Sequence, residues 1–175
     1  MADIRTIRLK NEYEQMNNLA RQGDLINWKA VSGTAPYVDG YLLTVKARTL
    51  TGPEPSYRDT HSIRVTIPYD YPNSAPKVQM LSSPYVYHPN WYTDGRWCHG
   101  SWNSSESLGD FVIRMIKTLF FDEEITNPGS SANGEAKNWY QNSRNKRYLP
   151  KPPAGYPDPT AVPTFKVKRK FKVSR

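Results

Sequence analysis

Residues 83–103 read Ser83-Pro84-Tyr85-Val86-Tyr87-His88-Pro89-Asn90-Trp91-Tyr92-Thr93-Asp94-Gly95-Arg96-Trp97-Cys98-His99-Gly100-Ser101-Trp102-Asn103, a stretch with neither helical nor strand periodicity. Pro, Gly and Asn punctuate it, and a segment this long without a regular element is characteristic of a functional loop. It contains Cys98, the one cysteine of the 175-residue chain. Just beyond it, Ser107 reads as the N-cap of a helix. The apolar residues Leu108, Phe111, Val112, Met115, Ile116, Leu119 and Phe120 recur there at i, i+3, i+4, i+7, i+8, i+11 and i+12, so this central helix must pack on a sheet. Upstream, four runs read as strands: Leu25–Val31, Tyr41–Thr49, Ser62–Ile67 and Lys77–Leu81. Connectors at Pro36–Gly40 and Gly52–Pro55 have hairpin-like spacing and predict an antiparallel meander.

A first helix is expected from an Asp3 N-cap, with Ile7, Leu9, Tyr13, Met16, Leu19 and Ala20 apolar, Arg5, Arg8 and Lys10 basic, and Gly23 as its stop. After the central helix, Asn127-Pro128-Gly129 breaks the chain, and a short helix over about Gly134–Ser143 turns Ala136, Trp139 and Tyr140 inward. The fold class is α+β.

Composition supports one core: 37% of the residues are hydrophobic and 13% aromatic. No apolar run reaches the roughly 20 residues of a membrane span. The first ten residues, Met1 to Lys10, lack the apolar core of a secretory leader, and a single cysteine forms no internal disulfide, so a reducing, cytoplasmic setting is expected. The net charge of +8 is unevenly placed, since residues 144–175 carry ten Lys or Arg against one acid, Asp158. The first 143 residues hold 14 bases and 15 acids. Six of the fifteen prolines fall within 150–163, which reads as an extended linker. Phe165, Val167, Arg169, Phe171 and Val173 then alternate with lysines, as in a strand with one cationic face. The expected organisation is a domain over 1–149 and a Pro-rich, basic tail over 150–175.

Cys98 admits several readings. A lone intracellular cysteine is ordinarily a small buried hydrophobe, whereas a loop thiol with polar neighbours can be a nucleophile. A zinc site would have to draw on His61, His88 and His99, and the Cys-x-x-Cys pairs that make such sites convincing are missing. No local protease signature surrounds Cys98, and His99 is not simply its base, because neighbours in an extended segment point apart.

The spacing of His88-Pro89-Asn90, Gly95 and Cys98, with the cysteine eight residues after Asn90, resembles the signature of the ubiquitin-conjugating enzyme (E2) family. Ile67-Pro68-Tyr69-Asp70-Tyr71-Pro72 followed by Ala75-Pro76-Lys77-Val78 is similar to that family's Phe-Pro-x-x-Tyr-Pro and Pro-Pro-Lys-Val segment. The resemblance covers about residues 4–143. It implies a UBC-like fold: N-terminal helix, four-stranded meander, active-site loop, central helix and short C-terminal helix. It also implies that Cys98 accepts the acyl C-terminus of a ubiquitin-like modifier from an E1-like adenylating enzyme. Cys98 would hold it as a thioester and pass it to an amine, a lysine of an acceptor protein. Neither a cofactor nor a metal follows from that chemistry.

By the same resemblance Asn90 matches the residue given oxyanion stabilisation, an effect of about 10² to 10³ in rate. A short Asn side chain can equally pin its own loop, and both readings stand. His88 is implied as a loop brace, and Tyr71, Pro72 and Pro76 as residues that shape the loop. Asn127 matches a position on the acceptor channel, where an amide can position but not act as a base. Arg5, Arg8 and Lys10 would offer a basic helix face to the E1. Trp97 and His99 stand where the family commonly has aliphatic residues, and the segment from Cys98 to the central helix and the C-terminal helices are reduced. These departures resemble divergent prokaryotic E2-like proteins, some encoded with an E1-like enzyme, a modifier and a JAB-type peptidase and some with antiphage roles. Two other classes are a non-catalytic E2-variant-like module, which characteristically lacks the nucleophile, and a binder of nucleic acid or an acidic partner through the tail. The tail could also serve as an edge strand or augment a partner's sheet.

Overall fold

The computed structural model describes residues 1–163. Helix α1 (Ile4–Arg21) begins where the Asp3 carboxylate accepts the Thr6 N–H at 2.7 Å. It ends at Gln22, ahead of Gly23 at φ 144°. Strands β1 (Ile26–Thr34), β2 (Tyr37–Gly52), β3 (Ser56–Thr66) and β4 (Lys77–Met80) form one antiparallel sheet in sequence order, the expected meander. After the loop come α2 (Leu108–Leu119), a 3₁₀ turn at Pro128–Ser130, α3 (Gly134–Gln141) and a 3₁₀ turn at Ser143–Tyr148. The architecture is α+β.

The stripe predicted on α2 is the centre of the core. Phe111, Val112, Met115, Ile116 and Leu119 are fully buried against Leu43, Val45, Ile63 and Val65 of the sheet, with Leu9, Met16 and Leu19 of α1 closing the side. At its start the Ser107 hydroxyl accepts the Asp110 N–H at 3.1 Å.

Four expectations are corrected. Ile7 is 51% exposed, because two residues of helix turn it about 160° away from Leu9; the buried arc instead includes a carboxylate, Glu12. Strands β2 and β3 extend past the alternating runs, so Tyr37–Gly40 pairs with β1 and the turn there is only Ala35-Pro36. The early half of β3 is polar because it runs beyond the main core.

The fourth correction concerns the Pro-rich segment, which lacks regular structure but is not a free linker. The Asn18 amide donates to Pro159 O at 2.7 Å, the Gln22 amide donates to Asp158 O at 2.6 Å, and Gln22 Oε1 accepts the Asp158 N–H at 2.9 Å. Pro159 is buried, and Tyr156 packs edge-on against Phe120 at 6.2 Å between ring centroids. Gly109 of α2 permits this strap to approach, since a Cβ there would meet the Pro159 ring at 2.4 Å. The alternating run Phe165–Val173 lies outside the described residues.

Candidate active site

His88 is fully buried with its ring 4.5 Å from that of Phe121, and burial pushes its pKa down to about 3, so it is neutral. Its Nδ1 accepts the Asn90 N–H at 2.9 Å, which leaves Nε2 as the donor to Thr126 Oγ1 at 3.2 Å. Pro89 O accepts the N–H groups of both Ala132 and Asn133. The Asn90 side chain, 5% exposed, commits both amide hydrogens and its oxygen to the following loop: Nδ2 donates to Asn127 O at 2.8 Å and Ser130 O at 3.1 Å, and Oδ1 accepts the Asn127 N–H at 2.8 Å. Asn90 O then accepts the Cys98 N–H at 2.9 Å. The tripeptide thus fixes the cysteine backbone on one side and residues 127–130 on the other.

Between Asn90 and Cys98 the chain turns back on itself and joins the edge of β4. Isolated bridges link Gln79 with Arg96 and Trp91 with Trp97, and Gly95 O accepts the Met80 N–H at 2.8 Å. Gly95 adopts φ 86°, and a Cβ on it would lie 2.7 Å from the Gln79 amide nitrogen and 2.8 Å from the Tyr85 ring, so this position requires glycine. The Trp91 indole N–H donates to Thr118 Oγ1 of α2 at 2.8 Å, anchoring the turn to the core.

Trp97 points inward and His99 follows it, the two rings 6.0 Å apart and both against Phe111. Half-burial and the Arg114 guanidinium hold His99 below the ordinary histidine pKa. Arg114 itself escaped the sequence reading. Its Nε and Nη2 bind the Glu106 carboxylate, each at 2.9 Å, its Nη1 donates to His99 O at 2.5 Å, and its guanidinium lies 5.1 Å from the Trp97 ring centroid. The signal available was a cation bordering the apolar arc of α2, three residues after Phe111.

Half-exposed Cys98 lines a cleft of about 290 Å³ together with Asn90, Arg114, Glu124 and Asn127. Asn127 also lines this cleft, and its own Oδ1 caps the 3₁₀ turn by accepting the Gly129 N–H at 3.0 Å. Glu124, also missed from sequence, is the only carboxylate among the described residues that line the cleft. The histidines of the zinc alternative are dispersed: His61 Nε2 pairs with Ala47 O at 2.8 Å, and no group of three or more metal-ligating side chains is gathered among the described residues.

The basic face of α1 is partly internal. Arg8 bonds Glu12, Ser104 O, Glu106 O and the Tyr71 hydroxyl, while Arg5 pairs with Asp39 at 3.1 Å; Lys10 remains exposed. Glu12, 1% exposed, also accepts the Tyr71 O–H and the Leu108 N–H, each at 2.7 Å. It therefore joins α1, the Tyr71-Pro72 turn and the positive end of α2.

A family model for ubiquitin-conjugating enzymes matches residues 8–150. The chain is 29% identical over 125 residues to ubiquitin-conjugating enzyme E2 2 of Mycosarcoma maydis, covering 68% of this chain and 62% of that protein. It is 29% identical over 103 residues to the protein of that name from Kluyveromyces lactis, covering 55% and 59%. It is 30% identical over 101 residues to that from Trichoderma harzianum, covering 54% and 63%. The match spans about three-fifths of these relatives' length, 59 to 63%.

Proposed function

The chain belongs to the ubiquitin-conjugating enzyme family, and from that premise we propose that Cys98 carries a ubiquitin-like modifier as a thioester. The observation that carries this reading is the half-exposed thiol in its cleft, its backbone fixed through Asn90. The Cys98 thiolate attacks the carbonyl carbon of the modifier's thioester on an E1-like enzyme; the new C–S bond forms as the old one breaks, and the E1 thiol leaves. An acceptor amine, the ε-amine of a lysine, then attacks the Cys98 thioester. The amine loses a proton, an amide forms and the Cys98 thiol is released.

The hydrogen bonds of Asn90 support the brace role over direct oxyanion donation, because both Nδ2 hydrogens already have carbonyl acceptors. His88 holds the Asn90 backbone from beneath. Arg114 fixes the chain just after the cysteine by holding His99 O. We assign to Glu124 the attraction of the incoming lysine ammonium into the cleft and acceptance of its proton, with Asn127 shaping the wall. Lys10 and Arg5 are the α1 cations we assign to the E1, with Arg8 holding that helix in place. The basic tail is assigned to an acidic partner on its charge alone. The reduced segment after Cys98 supports placement among the prokaryotic E2-like proteins.

The test is single-turnover discharge. Protein charged at Cys98 should lose its modifier on addition of free lysine and not of arginine, and Glu124→Gln should slow that loss at neutral pH. Equal discharge with either amino acid would refute lysine transfer.

A further inference from the structure

Beyond α3 the chain turns basic: Arg144, Lys146 and Arg147 stand in the 3₁₀ turn at Ser143–Tyr148 and Lys151 just after it, all four exposed. From Ala136 to Pro157 the sequence holds no Asp or Glu, and none of the four cations forms an ion pair among the described residues. The turn is held from two sides. Asn142 Oδ1 accepts the Arg144 N–H at 3.1 Å, the Asn145 amide donates to Trp139 O at 2.9 Å, and Trp139 Nε1 donates to Pro53 O at 2.8 Å, which ties α3 and the turn to the β2–β3 hairpin. The Tyr57 hydroxyl of β3 donates to Tyr148 O at 2.8 Å. That bond joins two stacked pairs: the Arg147 guanidinium lies 4.7 Å from the Tyr148 ring centroid, and that of Arg48 of β2 lies 4.4 Å from the Tyr57 ring centroid. Arg48 thereby extends the basic surface onto the sheet. Its ion-pair partner Asp59 is exposed and 3.5 Å away, a weak pairing that leaves the guanidinium available. In a 3₁₀ helix residues three apart eclipse, so Arg144 and Arg147 stand one above the other, about 6 Å apart along the axis.

We propose that this surface binds a nucleic-acid strand through its phosphates. The step from Arg144 to Arg147 suits successive phosphates of one strand, and a planar guanidinium takes two phosphate oxygens at once. The tyrosine faces hold Arg48 and Arg147 by their planes, and apart from the Arg147 Nη2 bond to the Tyr148 hydroxyl the guanidinium edge of Arg147 is left for that contact. None of the large hydrophobic side chains exposed among the described residues lies on this surface. It therefore offers charge without the apolar centre of a protein interface, and without the apolar face that seats a polypeptide in lipid. The inference uses neither the chemistry of Cys98 nor the charge beyond residue 163.

The experiment measures binding of a labelled single-stranded DNA of mixed sequence, about 20 nucleotides long, to the full-length protein by fluorescence anisotropy over a range of salt concentrations. Arg144→Glu combined with Arg147→Glu should weaken binding at least about tenfold at low ionic strength and flatten the plot of log K against log salt by about 1.4, the share of two phosphate contacts. Lys168→Glu combined with Lys170→Glu, the same change of net charge in the tail, should leave binding within about threefold of the parent. An equal loss in the two double variants overturns the proposal. So does displacement of the DNA by polyglutamate as effectively as by unlabelled DNA, which would assign the surface to an acidic polypeptide. Binding to vesicles of phosphatidylserine and phosphatidylcholine with none to the DNA overturns it as well. Amide chemical-shift mapping of the wild-type protein with unlabelled DNA gives a check independent of the variants' folding: shifts centred on residues 143–151 and Arg48 support the proposal, and shifts centred elsewhere overturn it.

Discussion

Replacing Asn90 by Ala separates the two roles its amide could have. The substitution removes three hydrogen bonds, two from Nδ2 and one to Oδ1, at a residue 5% exposed. At a net value of about 0.5–1.5 kcal/mol each, the loss is about 2–4 kcal/mol. For a domain of this size, that lowers the melting temperature by about 5–15 °C. Asn90→Asp should cost at least as much at neutral pH, since it keeps the acceptor for the Asn127 N–H but sets a carboxylate oxygen against the carbonyls of Asn127 and Ser130. Stability is read by urea unfolding and reactivity by single-turnover discharge of the charged protein to free lysine. The brace account expects both to fall together. Asn90→Ala within about 0.5 kcal/mol of the parent, with discharge reduced about 100-fold, would refute it and assign the amide to the oxyanion.

Other outcomes follow from buried groups and packing. His88 and His61 are held below the ordinary histidine pKa chiefly by burial, so below about pH 6.5 the unfolded chain binds protons that the folded one does not. Stability should therefore fall on acidification from about pH 6.5, by up to about 1.4 kcal/mol per pH unit for each histidine and, for His88, down to its folded pKa of about 3; urea unfolding that is flat between pH 7 and 5 would contradict this. Glu12→Ala leaves the Leu108 N–H, the Tyr71 hydroxyl and the Arg8 guanidinium short of an acceptor, and should cost about 3–5 kcal/mol by the same measurement. Truncation after residue 149 removes the strap's bonds to Asn18 and Gln22 together with the Tyr156 and Pro159 contacts, and should cost about 1–3 kcal/mol. A loss below about 0.5 kcal/mol would show that the strap contributes nothing to the fold.

What could be read from the sequence depended on the range of the interaction. The apolar stripe from Leu108 to Phe120 is a local pattern imposed by one buried face, and the structure buries every residue of it. The His88–Asn90–Cys98 spacing was legible because those residues meet through a single local turn. The polar start of β3 carried no alternation, since its side chains lie beyond the main core. Glu12 was hidden because its partner Leu108 is 96 residues away, and no period connects them. The strap was misread for a related reason: six prolines report local stiffness, whereas its docking depends on the bareness of Gly109 in another element. Arg114 and Glu124 each resemble an ordinary surface charge until the loop and the helix are brought together.

The central claim is that Cys98 bears the modifier. Incubation with ubiquitin, a ubiquitin-activating enzyme and ATP, followed by intact-mass analysis without reductant, tests it most directly. The account predicts an adduct of one modifier less one water, cleaved by thiols, absent in Cys98→Ala and replaced by a thiol-resistant ester in Cys98→Ser. An adduct of the same mass surviving in Cys98→Ala would contradict it.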